Sequence, residues 1–432
     1  MTDQIDSPVS RPLDSTVRGL LIDTADRAVR YLDGLDARPV RVTDHAIRNL
    51  DRLDEAFPKE PTDAGAVLAM LDAIGSPATM ATAGGRYFGF VTGGSLPVAL
   101  AANWLAGAWD QNAALTVMSP VAAKLEEISL GWLTEIFGLP AGTGGAFVTG
   151  ATMANLTALA AARHRVLAEA GWDVEANGLF GAPPVNVVVG DESHVSVTKA
   201  LSLLGFGRER VIRVPVDGQG RLRADALPAL TGPTIICTQA GNVNTGAFDP
   251  VGEICAWARD NGAWVHVDGA FGLWAVASPA RADLVAGVAR ADSWATDAHK
   301  WLNVPYDSGI ALVRDAEALR AAMSVTAAYL ATSDTREPMH VGPESSRRAR
   351  GVEVWAALRS LGREGVADLI ERCCRHASRF ADGLREAGYE ILNDVELNQV
   401  LVRFGDDETT RRVIAGIQAD GTCWCGGTVW QG

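Results

Sequence analysis

Cationic side chains are scarce in this chain. Lys and Arg number 38 against 52 Asp and Glu, a formal net charge of −14 over 432 residues. Such a balance repels phosphate backbones and anionic lipid, so neither nucleic acid nor a membrane surface is an expected partner. Long apolar runs are missing as well. The longest, Ser95 to Trp109, carries Asn103 and falls short of the roughly 20 residues that span a bilayer. Six cysteines in a chain of this length make no disulfide framework. Cys373 and Cys374 are adjacent, and Cys423-x-Cys425 lacks the spacing of a zinc ribbon's paired knuckles. No metal site is expected. The first residues (MTDQIDSPVSRPLD) are polar and acidic, without the basic-then-apolar order of a secretion leader. A cytoplasmic location with reduced thiols is the expectation, and no internal repeat or low-complexity run interrupts it.

What is present is ordinary globular composition. Hydrophobic residues make up 48% and charged residues 21%, which excludes intrinsic disorder. The length exceeds what one hydrophobic core usually serves, so more than one domain is predicted. Up to about residue 84 the pattern is helical, with Asp14-Ser15 before Val17–Leu35 and Asp63 opening a run to Ile74. From Phe147 onward short β-rich runs alternate with helical ones: Ala146–Thr149, Val185–Gly190, Val211–Val216, Thr234–Thr238, Trp264–Asp268 and Gly309–Arg314. Their near-continuous Val and Ile content predicts an α/β architecture with a mostly parallel sheet covered on both faces. Past Val352 a long helical run leads to Gly388. Strands at Tyr389–Leu392 and Gln399–Phe404, a helix near Thr409–Asp420 and a β-like stretch at Thr428–Gln431 follow, a smaller α+β domain.

Four segments could carry chemistry. In VTGATMANLTALAAARH (Val148–His164) a strand turns through glycine into a helix. The backbone N–H groups of Gly150, Ala151 and Thr152, with the helix dipole, offer a phosphate site without basic side chains. The glycines at Gly142–Gly145 precede their strand, which excludes a dinucleotide fingerprint. In DESHVSVTKAL, His194 lies just past a strand end, where open α/β sheets bind ligands. In WVHVDGAFGLWA, Asp268 ends a buried strand, a costly place for a carboxylate unless it faces a cation or a protonated nitrogen. His266 and Asp268 lack a third ligand at metal spacing. In ADSWATDAHKWLNVPYDSG, Lys300 sits in an apolar, aromatic setting beside Trp301, which suits an amine nucleophile for Schiff-base chemistry.

The order phosphate turn, His, strand-end Asp, Lys resembles the group II pyridoxal-phosphate-dependent decarboxylases of the aromatic-L-amino-acid and glutamate decarboxylase type. The likeness is most specific at HVDGAFG and TDAHKWLNVPYDSG. It extends through TGATMANL and DESH to YFGFVTGG (Tyr87–Gly94) and MSPVAAKLEEISLGWL (Met118–Leu133). It implies the aspartate aminotransferase-like fold (fold type I), with an N-terminal helical segment over residues 1–84, a large cofactor-binding domain over 85–355 and a smaller domain over 356–432. Relatives usually continue past the position of Gly432 with a further strand and helix, so the small domain reads as incomplete, with an unpaired sheet edge.

The resemblance also implies roles. Lys300 would bind pyridoxal 5′-phosphate as a Schiff base, and Asp268 would pair with the pyridine nitrogen. His194 would stack on one ring face with Ala270 against the other. Gly150, Ala151, Thr152 and His299 would hold the phosphate, and Gln239 and Asn242 would border the cofactor. Tyr329, in SVTAAYLATSDT, would return a proton to Cα. Phe90, Val91 and Thr92 would line the substrate pocket, with Trp109, Asn112 and Ala114 arriving from the second subunit of a homodimer with shared active sites. Asn112 and Ala114 replace larger apolar residues, which admits a substrate with a polar or bulkier side chain. The activity implied is decarboxylation of an L-amino acid to amine and CO2. An aminotransferase, an aldehyde-forming oxidative deaminase or a carbon–carbon lyase on the same fold is the alternative, and an inactive binding homologue a second one.

Overall fold

A computed structural model describes residues 15–325 and 336–432 of the chain. It divides into two compact units, residues 1–90 with 411–427 and residues 91–410 with 428–432.

The larger unit is built on one seven-stranded sheet. Its strands are β1 (Gly144–Val148), β2 (Asn186–Gly190), β3 (Ile212–Val214), β4 (Thr234–Gln239), β5 (Trp264–Asp268), β6 (Ser293–Asp297) and β7 (Gly309–Val313). They lie in the order β1-β7-β6-β5-β4-β2-β3. All pairings are parallel except those of β7, which runs antiparallel to both β1 and β6. Two-sided burial explains the apolar runs. Val188, Ile236, Val265 and Leu312 face one buried cluster, while Val187, Val189, Ile235 and Val313 face another. Each cluster takes alternate residues of the same strands, the period of a pleated strand covered on both sides.

Two helices matter for the site. The first, α1 (Ala151–Glu169), follows β1 through Gly150. Its buried side chains are mostly small, among them Ala151, Ala154, Ala158 and Ala161. Small residues let its axis come close to the sheet, and Ala154 packs with Val148, Ala295 and Ala311 of three strands. The second, α2 (Val195–Leu203), follows β2 and is capped by His194, whose ring accepts the Ser196 N–H.

The smaller unit joins helices Ser15–Asp33 and Ala64–Gly75 through an ion pair from Arg27 to Asp72, with Asp23 of Arg27's own helix holding the guanidinium from the other side. Asp63 caps the second of these as its sequence position predicts, accepting the Ala66 N–H at 2.9 Å. Tyr87–Phe88 pairs in parallel with Trp424–Cys425. The Trp424 ring stacks on Tyr87 and on Phe90.

Two local expectations differ from the structure. β6 was not anticipated, because SWATD is half polar; its five residues are nonetheless all buried between two neighbouring strands. The β-like stretch at Thr428–Gln431 forms no strand, and the pairing segment lies instead before Gly426 and Gly427.

Candidate active site

The chemistry-bearing residues converge at the carboxyl ends of β4, β5 and β6. Register alone brings them together: Gln239 pairs with Asp268, and Asp268 with Ala295. Asp268 is 3% exposed. Its Oδ1 accepts the Ala270 N–H at 3.1 Å, and its Oδ2 accepts Asn155 Nδ2 at 3.0 Å. Ser196 Oγ lies 3.2 Å from the same Oδ2 and 2.7 Å from His194 Nδ1, so a single hydroxyl bridges the carboxylate and the imidazole. The Ala270 carbonyl accepts the Asp297 N–H at 2.9 Å. Asp297 Oδ2 then meets Lys300 Nζ at 2.8 Å. A continuous chain of contacts therefore runs from the Asp268 carboxylate to the Lys300 amine.

The predicted phosphate cradle is assembled around Asp297. The Ala151 N–H, at the mouth of α1, donates to Asp297 Oδ1 at 2.6 Å. His299 Nε2 lies 3.6 Å from that oxygen, and its Nδ1 accepts the Ser308 N–H at 3.0 Å. Acceptance at Nδ1 leaves the ring's proton on Nε2, the nitrogen that faces the helix mouth. Burial pushes the His299 pKa down, with Asp297 opposing the shift, so a neutral donor is the favoured form. Thr152 occupies the first turn beside Ala151. Gly150 has no room to spare: a Cβ there would lie 3.2 Å from His299 Cε1, and a Cβ on Gly309 would fall 2.4 Å from the Gly150 Cα.

Thr92 belongs to this neighbourhood. The segment after it is laid against the lysine loop: Gly93 N–H donates to the His299 carbonyl, Gly94 N–H to Asn303 Oδ1 at 2.6 Å, and Leu96 N–H to the Asn303 carbonyl. A Cβ on Gly93 would sit 2.0 Å from the Lys300 carbonyl oxygen. Only glycine permits that approach.

Other expected site residues take positions of their own. Gln239 clamps the loop before α2, accepting the His194 N–H through Oε1 at 3.1 Å and donating Nε2 to the Glu192 carbonyl. Asn242 uses its Oδ1 on its own turn, accepting the Asn244 and Thr245 N–H groups, while its buried Nδ2 has no partner among the described residues. Asn112 bonds Ser346 Oγ and the Ala114 and Arg347 N–H groups. Trp109 ends helix Pro97–Trp109 and is 42% exposed. Phe90, in the smaller unit, is 79% exposed at a positive φ of 51°. Tyr329 lies outside the described residues.

Sequence reasoning gave no role to three members of the cluster, Asp297, Asn155 and Ser196, and weighed a fourth, His266, only as a metal ligand. His266 Nε2 lies 2.8 Å from Asn155 Oδ1, and its Nδ1 2.9 Å from Ser293 Oγ. Full burial pushes its pKa down to about 4, so it is neutral. Both nitrogens being so taken, His266 serves Asn155 and leaves no face for a metal. The signal for two of the four was available: Asp297 is three residues before the lysine, and Asn155 one turn into the phosphate helix.

Known proteins resemble this chain over most of its length. The family described as "Pyridoxal-dependent decarboxylase conserved domain" matches residues 48–405. The chain belongs to that family. An aromatic-L-amino-acid decarboxylase of Bacillus atrophaeus is 28% identical over 404 residues, covering 90% of this chain and 82% of that protein. An L-2,4-diaminobutyrate decarboxylase of Rhizobium meliloti is 31% identical over 320 residues, 71% of this chain and 62% of its own length. The solved structure of Oryza sativa TDC with PLP and tryptamine superposes with a TM-score of 0.90 at 24% identity, over 98% of this chain and 93% of that one. The fold is accordingly fold type I, and the protein is a pyridoxal-phosphate-dependent amino-acid decarboxylase, a carboxy-lyase.

The donor set suits that cofactor. One primary amine, one buried carboxylate ringed by donors, an exposed imidazole and a helix mouth with a protonated imidazole nitrogen lie within one hydrogen-bonded cluster. The buried hydroxyls of Ser193, next to His194, and of Ser308, whose N–H meets His299, have no hydrogen-bond partner among the described residues.

Proposed function

We propose that Lys300 carries pyridoxal 5′-phosphate covalently and that this chain decarboxylates an L-amino acid at the Lys300–Asp268 cluster. When bound, the cofactor delocalises the electron pair left on Cα as CO2 departs. The chain's residues supply the rest. Asp268, held on two sides by Ala270 and Asn155, keeps a proton on the pyridine nitrogen. His194 covers one face of the ring, oriented by Ser196 and by the Gln239 clamp on its backbone, while the Ala270 methyl bounds the other. The Ala151 and Thr152 N–H groups and His299 Nε2–H hold the phosphate, and Gly150 lets it approach the backbone. Tyr329 returns a proton to Cα, a step typically worth 10²–10⁴-fold in rate.

The observation that carries the reading is the unbroken contact chain from the Asp268 carboxylate through Ala270 and Asp297 to Lys300 Nζ. For the substrate, Thr92 beside the lysine loop supports a role at the pocket wall. Asn112 has its amide occupied, so it shapes the pocket more than it recognises a polar group. The related decarboxylases named above act on substrates as different as aromatic amino acids and diaminobutyrate, which keeps the side chain open. The proposed assembly is a homodimer in the cytoplasm. No helix among the described residues is long and apolar enough to cross a membrane.

The test is direct. Holoenzyme is reduced with borohydride, digested, and its peptides mapped for a cofactor adduct. Lys300, one of four lysines in the chain, is the expected site. A panel of L-amino acids is assayed in parallel for CO2 and amine. Lys300→Ala should lose the adduct and turnover together; an adduct elsewhere, or full turnover in that variant, overturns the assignment.

A further inference from the structure

The sequence reading gave Asp297 no role, yet it sits where an anion is wanted. Its side chain is 2% exposed. Oδ1 takes the Ala151 N–H at 2.6 Å and lies 3.6 Å from His299 Nε2, and Oδ2 takes Lys300 Nζ at 2.8 Å. The backbone leaves it no freedom to swing away, since its N–H donates to the Ala270 carbonyl and its carbonyl accepts Trp274 Nε1 at 2.9 Å. One of the groups assigned to the cofactor's phosphate, the Ala151 N–H, is thus already engaged by a carboxylate of the protein, and a second, His299 Nε2, faces the same oxygen from just beyond hydrogen-bond distance. The third contact, the Lys300 amine, is the group assigned to the cofactor's aldehyde.

We propose that Asp297 is a resident anion at the mouth of α1, which competes with the phosphate of pyridoxal phosphate for the Ala151 N–H and His299 Nε2–H. The inference rests on the phosphate assignment made above. The helix dipole and two donors favour one anion there, and a second unit charge within a few ångströms works against it. Among the described residues Lys300 is the one cation facing Asp297, and covalent engagement by the cofactor draws it away. His299, kept mainly neutral by burial, does not replace that charge. Asp297 therefore orders the empty site, holding the helix mouth and the amine together, and weakens the hold on the phosphate.

The experiment compares wild type with Asp297→Asn as apoproteins, each titrated with pyridoxal 5′-phosphate and with pyridoxal, which has the aldehyde and ring but no phosphate. The expected result is a gain in affinity for the phosphate ester about tenfold larger than the gain for pyridoxal, a difference of roughly 1.4 kcal/mol. An equal gain for both ligands would place the effect at Lys300 and overturn the proposal; so would no change, or weaker binding. Asp297→Ser, read the same way, covers misfolding of the first variant. Failure of both to fold would assign the carboxylate a structural role and also overturn the proposal. If the wild type binds neither ligand, the reading of the whole site fails, separately from any effect of Asp297.

Discussion

Asn155 donates its Nδ2 to Asp268 Oδ2 across 3.0 Å, although 113 residues separate them in the chain. The opposite end of the same amide, Oδ1, faces His266 Nε2, which fixes which way the amide points. Asn155 is 0% exposed, so neither end has water as a substitute. Removing the amide leaves Asp268 and His266 each short of a partner, and a buried group so orphaned costs about 1–3 kcal/mol.

Asn155→Leu should therefore lower turnover by one to two orders of magnitude while the cofactor remains covalently bound. The discriminating measurement is the visible absorption of the bound cofactor against pH. A displaced titration supports the role of Asn155 in orienting Asp268; an unchanged titration together with normal turnover would make Asn155 a packing residue only.

His266 gives the fold an acid sensitivity. Its pKa is pushed down to about 4 by burial, against about 6.5 in the unfolded chain. Between those values the unfolded state binds the extra proton, so stability falls as pH drops from 6.5 toward 4 and levels off below. Asp249 works in the opposite direction. Burial raises it to about 6, so its contribution falls as pH rises from 3.8 to 6. Comparing urea unfolding of wild type and His266→Gln between pH 4.5 and 7 separates the two. The variant should lose the acid-side decline, on the order of 3 kcal/mol at most; parallel pH curves would contradict the burial argument.

Glu126 anchors two arginines from the far end of the chain. Its carboxylate receives Arg347 at 2.7 Å and Arg336 at 2.6 Å, and both Glu126 and Arg347 are buried. Glu126→Ala strands the Arg347 guanidinium without its counter-ion, which should cost about 3–5 kcal/mol. The double variant Glu126→Ala/Arg347→Met should recover much of that loss. Chemical denaturation midpoints of the three proteins decide it, and a double variant no better than the single would show that the pair is not the issue.

Gly93→Ala tests geometry without touching charge. The added methyl meets the backbone oxygens of Lys300 and His299 at 2.0 and 2.6 Å, which cannot move aside as a side-chain tip would. Cofactor affinity should fall at least tenfold, with Tm lowered as well. An unaffected Kd for pyridoxal phosphate would mean that the two segments do not need their close approach.

The sheet was readable because its strands are buried on both faces, so that Val187–Val189, Ile235–Cys237 and Val265–Val267 announce themselves as apolar runs. β6 escaped because Ser293 and Asp297 are polar residues buried for specific partners: Ser293 Oγ serves Trp264 and His266, and Asp297 serves Ala151 and Lys300. Hydrophobicity cannot reveal a strand whose polar side chains are satisfied inside the protein. The same reason hid Asn155 and Ser196, whose types are common at helix starts and whose targets are set by tertiary register. Lys300 was expected in an apolar setting, and the structure adds a buried carboxylate as its nearest partner. Such pairing is a property of the fold, which brings the lysine loop back over the end of its own strand.

Gly309 and Gly150 touch backbone to backbone, at the junction of the strand after the lysine loop and the entry to α1. Atoms of the main chain have no rotamers, so the separation between the helix mouth and the amine-bearing loop is set by van der Waals radii alone. The spacing into which a ligand's two ends must fit is in that sense a fixed gauge, and adaptation to a different substrate has to be carried by the walls around it.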